Sequence, residues 1–210
     1  MSDDLVFYTN PQSRGRIIRW MLEEVGRPYE THILDYETGL KSDAYLAINP
    51  MGKVPAITHG GAVITECAAI CAYRADAFPE AGLAPPPGDR ARAPYYRWLF
   101  FAAGPVEAAV TDRMLGAQVP PDKERMAGYG SYDRTFDTLE RALDGREHLA
   151  GGGFSAADLY VGAHLDFGLR FGMITPRPAF EQYVAPLRER PAYVRAQEID
   201  DALVAAQQPA

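Results

Sequence analysis

Cysteine is scarce. The two in 210 residues, Cys67 and Cys71, cannot build a disulfide framework, and four residues apart in a helical pattern they are poorly placed to bridge each other. A reducing compartment suits that usage. Long apolar runs are also missing: the longest charge-free one is Trp98 to Val106, far short of the about 20 residues a membrane helix needs. Excess basic charge is absent, with 21 basic against 28 acidic residues and a net charge of −7. Through residue 84 there are 11 acidic and 7 basic residues, and 17 and 14 follow, so neither half carries the footprint of a nucleic-acid binder. The four histidines, His32, His59, His148 and His164, have no metal-ligand spacing, and no metal site is expected. No GxSxG elbow, Walker loop or GxGxxG occurs. Tyr8 to Arg16 holds no cysteine, which excludes disulfide exchange run by a dithiol of the chain's own after its first strand. Met1-Ser2-Asp3-Asp4 is acidic where a secretory signal is basic. The expectation is a soluble, cytoplasmic protein with neither a membrane nor a nucleic-acid partner.

What is present is an ordinary globular balance, 47% hydrophobic and 23% charged, enough for two modest cores. Leu5-Val6-Phe7-Tyr8 reads as a buried strand. From Ser13, Ile17, Ile18, Met21, Leu22 and Val25 recur at helical spacing, with Gly26 to end the helix and Pro28 beyond. Tyr29–Leu34 predicts a second strand, and Lys41–Ile48 a short helix. Strands at 54–58 and 62–64 pair as a hairpin around His59-Gly60-Gly61, and Glu66–Phe78 reads as a helix. This β-α-β-(α)-β-β-α order predicts a compact three-layer α/β domain over residues 1–80. Pro85-Pro86-Pro87 and Gly88 mark 81–88 as a linker.

Residues 89–210 read as an all-helical domain. The spacing predicts a long helix over 90–115 kinked at Gly104-Pro105, a second over 122–143, and two shorter ones over 179–188 and 191–205. Between them, Ser155-Ala156-Ala157-Asp158 is a capping-box pattern, with Phe154 and Leu159 placed for a hydrophobic staple.

Three short signals could carry chemistry. Ser13 stands where the first strand gives way to the first helix. It is either an N-cap or a hydroxyl poised over a helix N-terminus that favours an anion. In Gly52-Lys53-Val54-Pro55, proline opening a strand is tolerated with an ordinary trans bond. A cis bond would instead turn the Val54 backbone outward as an edge for an extended peptide. Thr65-Glu66-Cys67 opens the next helix, with Thr65 as cap and Glu66 in the first turn, or with the Cys67 N–H as a carboxylate cradle.

Taken together, Asn49-Pro-Met-Gly-Lys-Val-Pro55, Thr65-Glu66-Cys67-Ala-Ala-Ile70 and Phe154-Ser155-Ala-Ala-Asp158 resemble a cytosolic glutathione S-transferase along essentially the whole chain. That resemblance implies α/β plus all-α: an N-terminal thioredoxin-like domain followed by a C-terminal helical bundle domain. It further implies a cis Val54–Pro55 bond, with Val54 pairing with the cysteinyl backbone of glutathione. Glu66 and Cys67 would hold the γ-glutamyl end, although residue 67 is usually Ser or Thr in the family. Lys53 and Lys41 would sit near a carboxylate of the tripeptide. Ser13 falls where the family carries the residue that faces the sulfur, with Asn10 as the alternative. Glutathione is then the co-substrate, and the partners implied are a small hydrophobic electrophile and a second copy of the chain, Asp76 lying near the shared cleft. Tyr95, Tyr96, Trp98, Phe101 and Met114 are either core or the apolar wall for that electrophile. The activity implied is detoxifying conjugation; a glutathione-dependent peroxidase or reductase and a non-catalytic binding protein are the alternatives.

Overall fold

The structure, a computed structural model, describes residues 4–207; the acidic start at residues 1–3 and the last three residues of the expected helical domain lie outside the described residues. Two compact units are present, one taking in the chain through Ala81 together with the residues from Arg190 on, the other Gly82–Glu189.

In the first unit β1 (Leu5–Thr9) is followed by α1 (Gly15–Val25), β2 (Glu30–Ile33), the short α2 (Asp43–Leu46), β3 (Ala56–His59), β4 (Ala62–Thr65) and α3 (Cys67–Ala77). The sheet order is β2-β1-β3-β4. β1 runs parallel to β2 and antiparallel to β3, and β3 and β4 form the expected hairpin. This is the thioredoxin-like arrangement. Side chains along a strand alternate faces: Phe7 is fully buried beneath α1, with the Arg19 guanidinium 5.0 Å from its ring. Tyr8 faces the other way, onto a small core of Leu40, Tyr45 and Ala56.

In the second unit the expected kinked helix is α4 (Arg92–Phe101), a π-helical stretch Ala102–Val106 and α5 (Glu107–Met114). Pro105 has no N–H and its ring displaces the carbonyl of the preceding turn, so the backbone widens there. The helix predicted over 122–143 is corrected: α6 spans only Tyr132–Leu143. Gly130, at φ 73°, halts any earlier start, and Ser131 caps the helix by accepting the Arg134 N–H at 3.3 Å. α7 (Ala156–Arg170) and α8 (Pro178–Arg188) complete the unit.

The last helix, α9 (Pro191–Gln207), returns to the first unit, whereas its sequence position grouped it with the helical domain. Its inward face carries Ala192, Tyr193, Ala196 and Asp200. Trp20 of α1 meets Tyr193 edge-on at 5.0 Å. Asp200 accepts from Arg19 Nε at 3.2 Å, while Arg19 Nη1 donates to Tyr29 and Thr31 at 3.2 and 3.0 Å. Burial pushes the Asp200 carboxyl up, and Arg19 and Arg16 offset only part of that rise. An amphipathic pattern reports that a helix has an inner face, not which neighbour covers it.

α7 opens with the predicted capping box. Asp158 is fully buried and fully used: Oδ1 accepts from the Leu149 N–H and the Tyr183 hydroxyl at 2.7 Å each, and Oδ2 from the Ser155 N–H and hydroxyl at 2.9 and 2.7 Å. Burial, with Asp158 beside it, drives the Tyr183 phenol pKa far up. Asp158→Ala strands several buried donors and should lower unfolding free energy by at least about 3 kcal/mol, against about 1 kcal/mol for Ser155→Ala. Urea unfolding of the two variants checks the order.

Candidate functional site

The strand register collects the three chemical signals at one end of the sheet. Tyr8 pairs with Ala56, and Ala56 with Thr65. Because both pairings are antiparallel, Asn10 just beyond Tyr8, Val54 just before Ala56 and Glu66 just after Thr65 leave the sheet on the same side. α1 and α3 both start there, so two positive helix ends share that edge. Cys67 Sγ lies 3.9 Å from the Arg14 carbonyl, which brings the two helix starts together.

Ser13 precedes α1 as expected, but the helix begins at Gly15. The Ser13 hydroxyl donates to the Asn10 carbonyl at 2.6 Å and accepts the Gly15 N–H at 2.9 Å. Gly15 is required here: a Cβ would stand 1.9 Å from Thr9 Oγ1. Asn10 is buried, and its side chain is occupied: Nδ2 donates to the Leu34 carbonyl at 2.8 Å and Oδ1 accepts the Gln12 N–H at 2.9 Å. Asn10 therefore shapes the loop that carries Ser13 and ties it to the end of β2.

The Val54–Pro55 bond is cis. Among the described residues, the main-chain N–H and C=O of Val54 have no hydrogen-bond partner. The turn before it is closely held. Asn49 accepts the Met51 N–H at 3.1 Å, and its Nδ2 donates to the Lys53 carbonyl at 2.8 Å. Gly52, at φ 57°, lies so close to the Leu40 carbonyl that a Cβ would be 3.0 Å from it. The Tyr45 hydroxyl also donates to the Lys53 carbonyl. Burial pushes that phenol up to about 12, which keeps it a donor. The sequence reading missed Tyr45; a lone aromatic within the short helix expected over 41–48 was its only trace. Lys41 and Lys53 flank the approach of Leu40 to Gly52, and both side chains are exposed.

Thr65 ends β4 and does not cap α3; Glu66 occupies the cap position, with φ 67° and ψ 118° and no side-chain cap bond. Among the described residues it is the one non-glycine with positive φ, a conformation that costs about 1–3 kcal/mol and persists only where the surroundings enforce it. Cys67 is buried, 8% exposed, as the first residue of α3, so the main-chain N–H of residue 67, not its thiol, is what this helix start can offer an anion. In the helical unit Tyr95 and Trp98 are core, Phe101 is half-buried edge-on to Trp98, and Tyr96 and Met114 are exposed.

Residues 14–77 match the family model for the glutathione S-transferase N-terminal domain. Over 181 residues, 81% of this chain and 86% of the relative, the chain is 28% identical to the glutathione S-transferase GstB of Escherichia coli strain K12. Among solved structures it is similar to a glutathione transferase from Methylococcus capsulatus, with TM-score 0.78 and 28% identity over 94% of this chain and 99% of that one. It is likewise similar to a sphingomonad glutathione S-transferase solved with glutathione, with TM-score 0.76 and 29% identity over 93% and 98% of the two chains. The first unit is thus a glutathione S-transferase N-terminal domain over residues 14–77, and along nearly its whole length the chain is similar to glutathione S-transferases.

Strain at Glu66 is measurable. Glycine removes the Cβ conflict but adds about 0.4–1 kcal/mol of unfolded-chain entropy, so Glu66→Gly should be more stable than the wild type by about 1 kcal/mol. Chemical denaturation reads that sign directly.

Proposed function

We propose that the protein is a glutathione S-transferase that activates the thiol of glutathione at this sheet end and conjugates it to a small hydrophobic electrophile. The observation that supports the reading best is the convergence of Ser13, the unpartnered Val54 backbone and the Glu66-Cys67 helix start at one end of the sheet. In this reading Val54 pairs with the cysteinyl backbone. Glu66 and the Cys67 N–H take the γ-glutamyl end, and Lys41 and Lys53 attract a carboxylate of the tripeptide. The protein works as a cytoplasmic homodimer.

A free thiol has a pKa of about 8.5 and is mostly protonated at neutral pH, yet the thiolate is the nucleophile. Lowering that pKa by ~2 units takes about 2.7 kcal/mol of differential stabilisation. One hydrogen bond to a charged sulfur contributes ~1.5–3 kcal/mol, and the α1 N-terminus adds a few tenths. Ser13 supplies the bond by turning its hydroxyl from the Asn10 carbonyl to the sulfur, while the Gly15 N–H remains its donor. Asn10, with both ends of its amide already engaged, is the weaker candidate. The thiolate lone pair then forms the carbon–sulfur bond as the electrophile's leaving group departs with its electrons.

Ser13→Ala should lower the conjugation rate at neutral pH about tenfold or more and move the pH–rate profile upward, with glutathione affinity held within a few-fold. A purely capping Ser13 predicts only a loss of about 1 kcal/mol in stability with the pH profile unmoved. An aryl halide, a hydroperoxide and a mixed disulfide assayed side by side separate conjugation from peroxidase and reductase activity, and inactivity on all three despite glutathione binding marks a binding protein.

A further inference from the structure

The Lys53 carbonyl carries two donors, the Tyr45 hydroxyl and Asn49 Nδ2, and a carbonyl oxygen has two lone pairs. The Lys53 C=O and the Val54 N–H belong to one planar trans peptide unit, so they point in opposite directions. Holding the oxygen therefore aims the N–H. That N–H has no partner among the described residues.

We propose that Tyr45 is a positioning residue for glutathione: its hydroxyl, with Asn49, anchors the Lys53 carbonyl so that the Val54 N–H stands presented to the cysteinyl carbonyl of the tripeptide. This rests on the reading of the protein as a glutathione-binding enzyme. Tyr45 touches neither the ligand nor the reacting sulfur. It acts through one peptide plane. The ring is held for the task, 2% exposed, packed at 5.7 Å on Tyr8 and rooted in α2, where Ser42 accepts the Tyr45 N–H. Asn49 is itself fixed through Oδ1 to Met51, so the two donors approach the carbonyl from separate supports. Without the hydroxyl, the peptide plane is left on one donor and can rock about it.

The test is Tyr45→Phe, which removes one oxygen and keeps the ring. Glutathione Kd by calorimetry and the KM for glutathione should each rise about three- to tenfold, the range of one neutral hydrogen bond, with kcat at saturating glutathione within about twofold. A merely structural Tyr45 would lower Tm and leave Kd and KM unmoved well below the transition; that result, in a folded variant, overturns the proposal. Amide exchange in the wild type tests it without a mutation. The Val54 N–H should exchange freely in the free protein and slow on glutathione binding. Protection already present without glutathione, or none gained when glutathione binds, overturns it as well. A wild type that binds no glutathione overturns the underlying reading and this inference together, whereas a binding wild type with an indifferent Tyr45→Phe overturns this inference alone.

Discussion

A carbonyl oxygen with both lone pairs occupied cannot turn, and at Lys53 that constraint governs the sheet end where the chemical signals meet. Lys53 sits between the turn built by Asn49 and Gly52 and the start of β3. Its peptide plane is shared with Val54, so the turn's hydrogen bonds reach the sheet edge through a rigid unit and not through a flexible loop. β1 passes beside the same place. Its register with β3 sets how far the Ser13 loop lies from that edge, and Asn10 ties the loop to the end of β2. Two connections that would otherwise wander, the Ser13 loop and the turn before Val54, are each held by a side-chain amide or hydroxyl.

The same region holds the backbone's least comfortable residue. Glu66 keeps φ at 67° between β4 and α3, where two regular elements would ordinarily meet through a glycine or an asparagine. The hairpin on one side and the buried start of α3 on the other over-determine the joint. The result is a helix N-terminus and an exposed carboxylate side by side at the end of the sheet. A relaxed turn would present them differently.

Two buried acids organise the two units, one in each, in different ways. Asp158 accepts four hydrogen bonds, from Leu149, Ser155 and Tyr183, and organises the start of α7 locally. Asp200 works over long range, meeting Arg19 from the opposite end of the chain and joining α9 to α1. A buried pair of that kind contributes little net stability, because desolvation offsets the attraction, but removing one partner leaves an uncompensated charge. Its effect here is to specify which helix face lies against α1.

Local chemistry was legible along the chain. β1, α1, the hairpin and the capping box of α7 follow from side-chain period, turn residues and caps, all of which act within a few residues and are written in order. Residues 13, 54, 66 and 67 stood out for the same reason, each sitting at a junction between elements, whereas Asn10 came only from the family resemblance. Tertiary structure alone decided the rest. Gly130 competes with a helical pattern that remains otherwise continuous, and that pattern does not say where α6 starts. The sheet register, which sets Asn10, Val54 and Glu66 at one edge, depends on pairings between strands dozens of residues apart. Tyr45 did not stand out in the sequence because its hydroxyl finds the Lys53 carbonyl only once the turn at Gly52 has closed. Asp200 did not stand out either, because its partner, Arg19, stands 181 residues earlier, and no local pattern carries information over that separation.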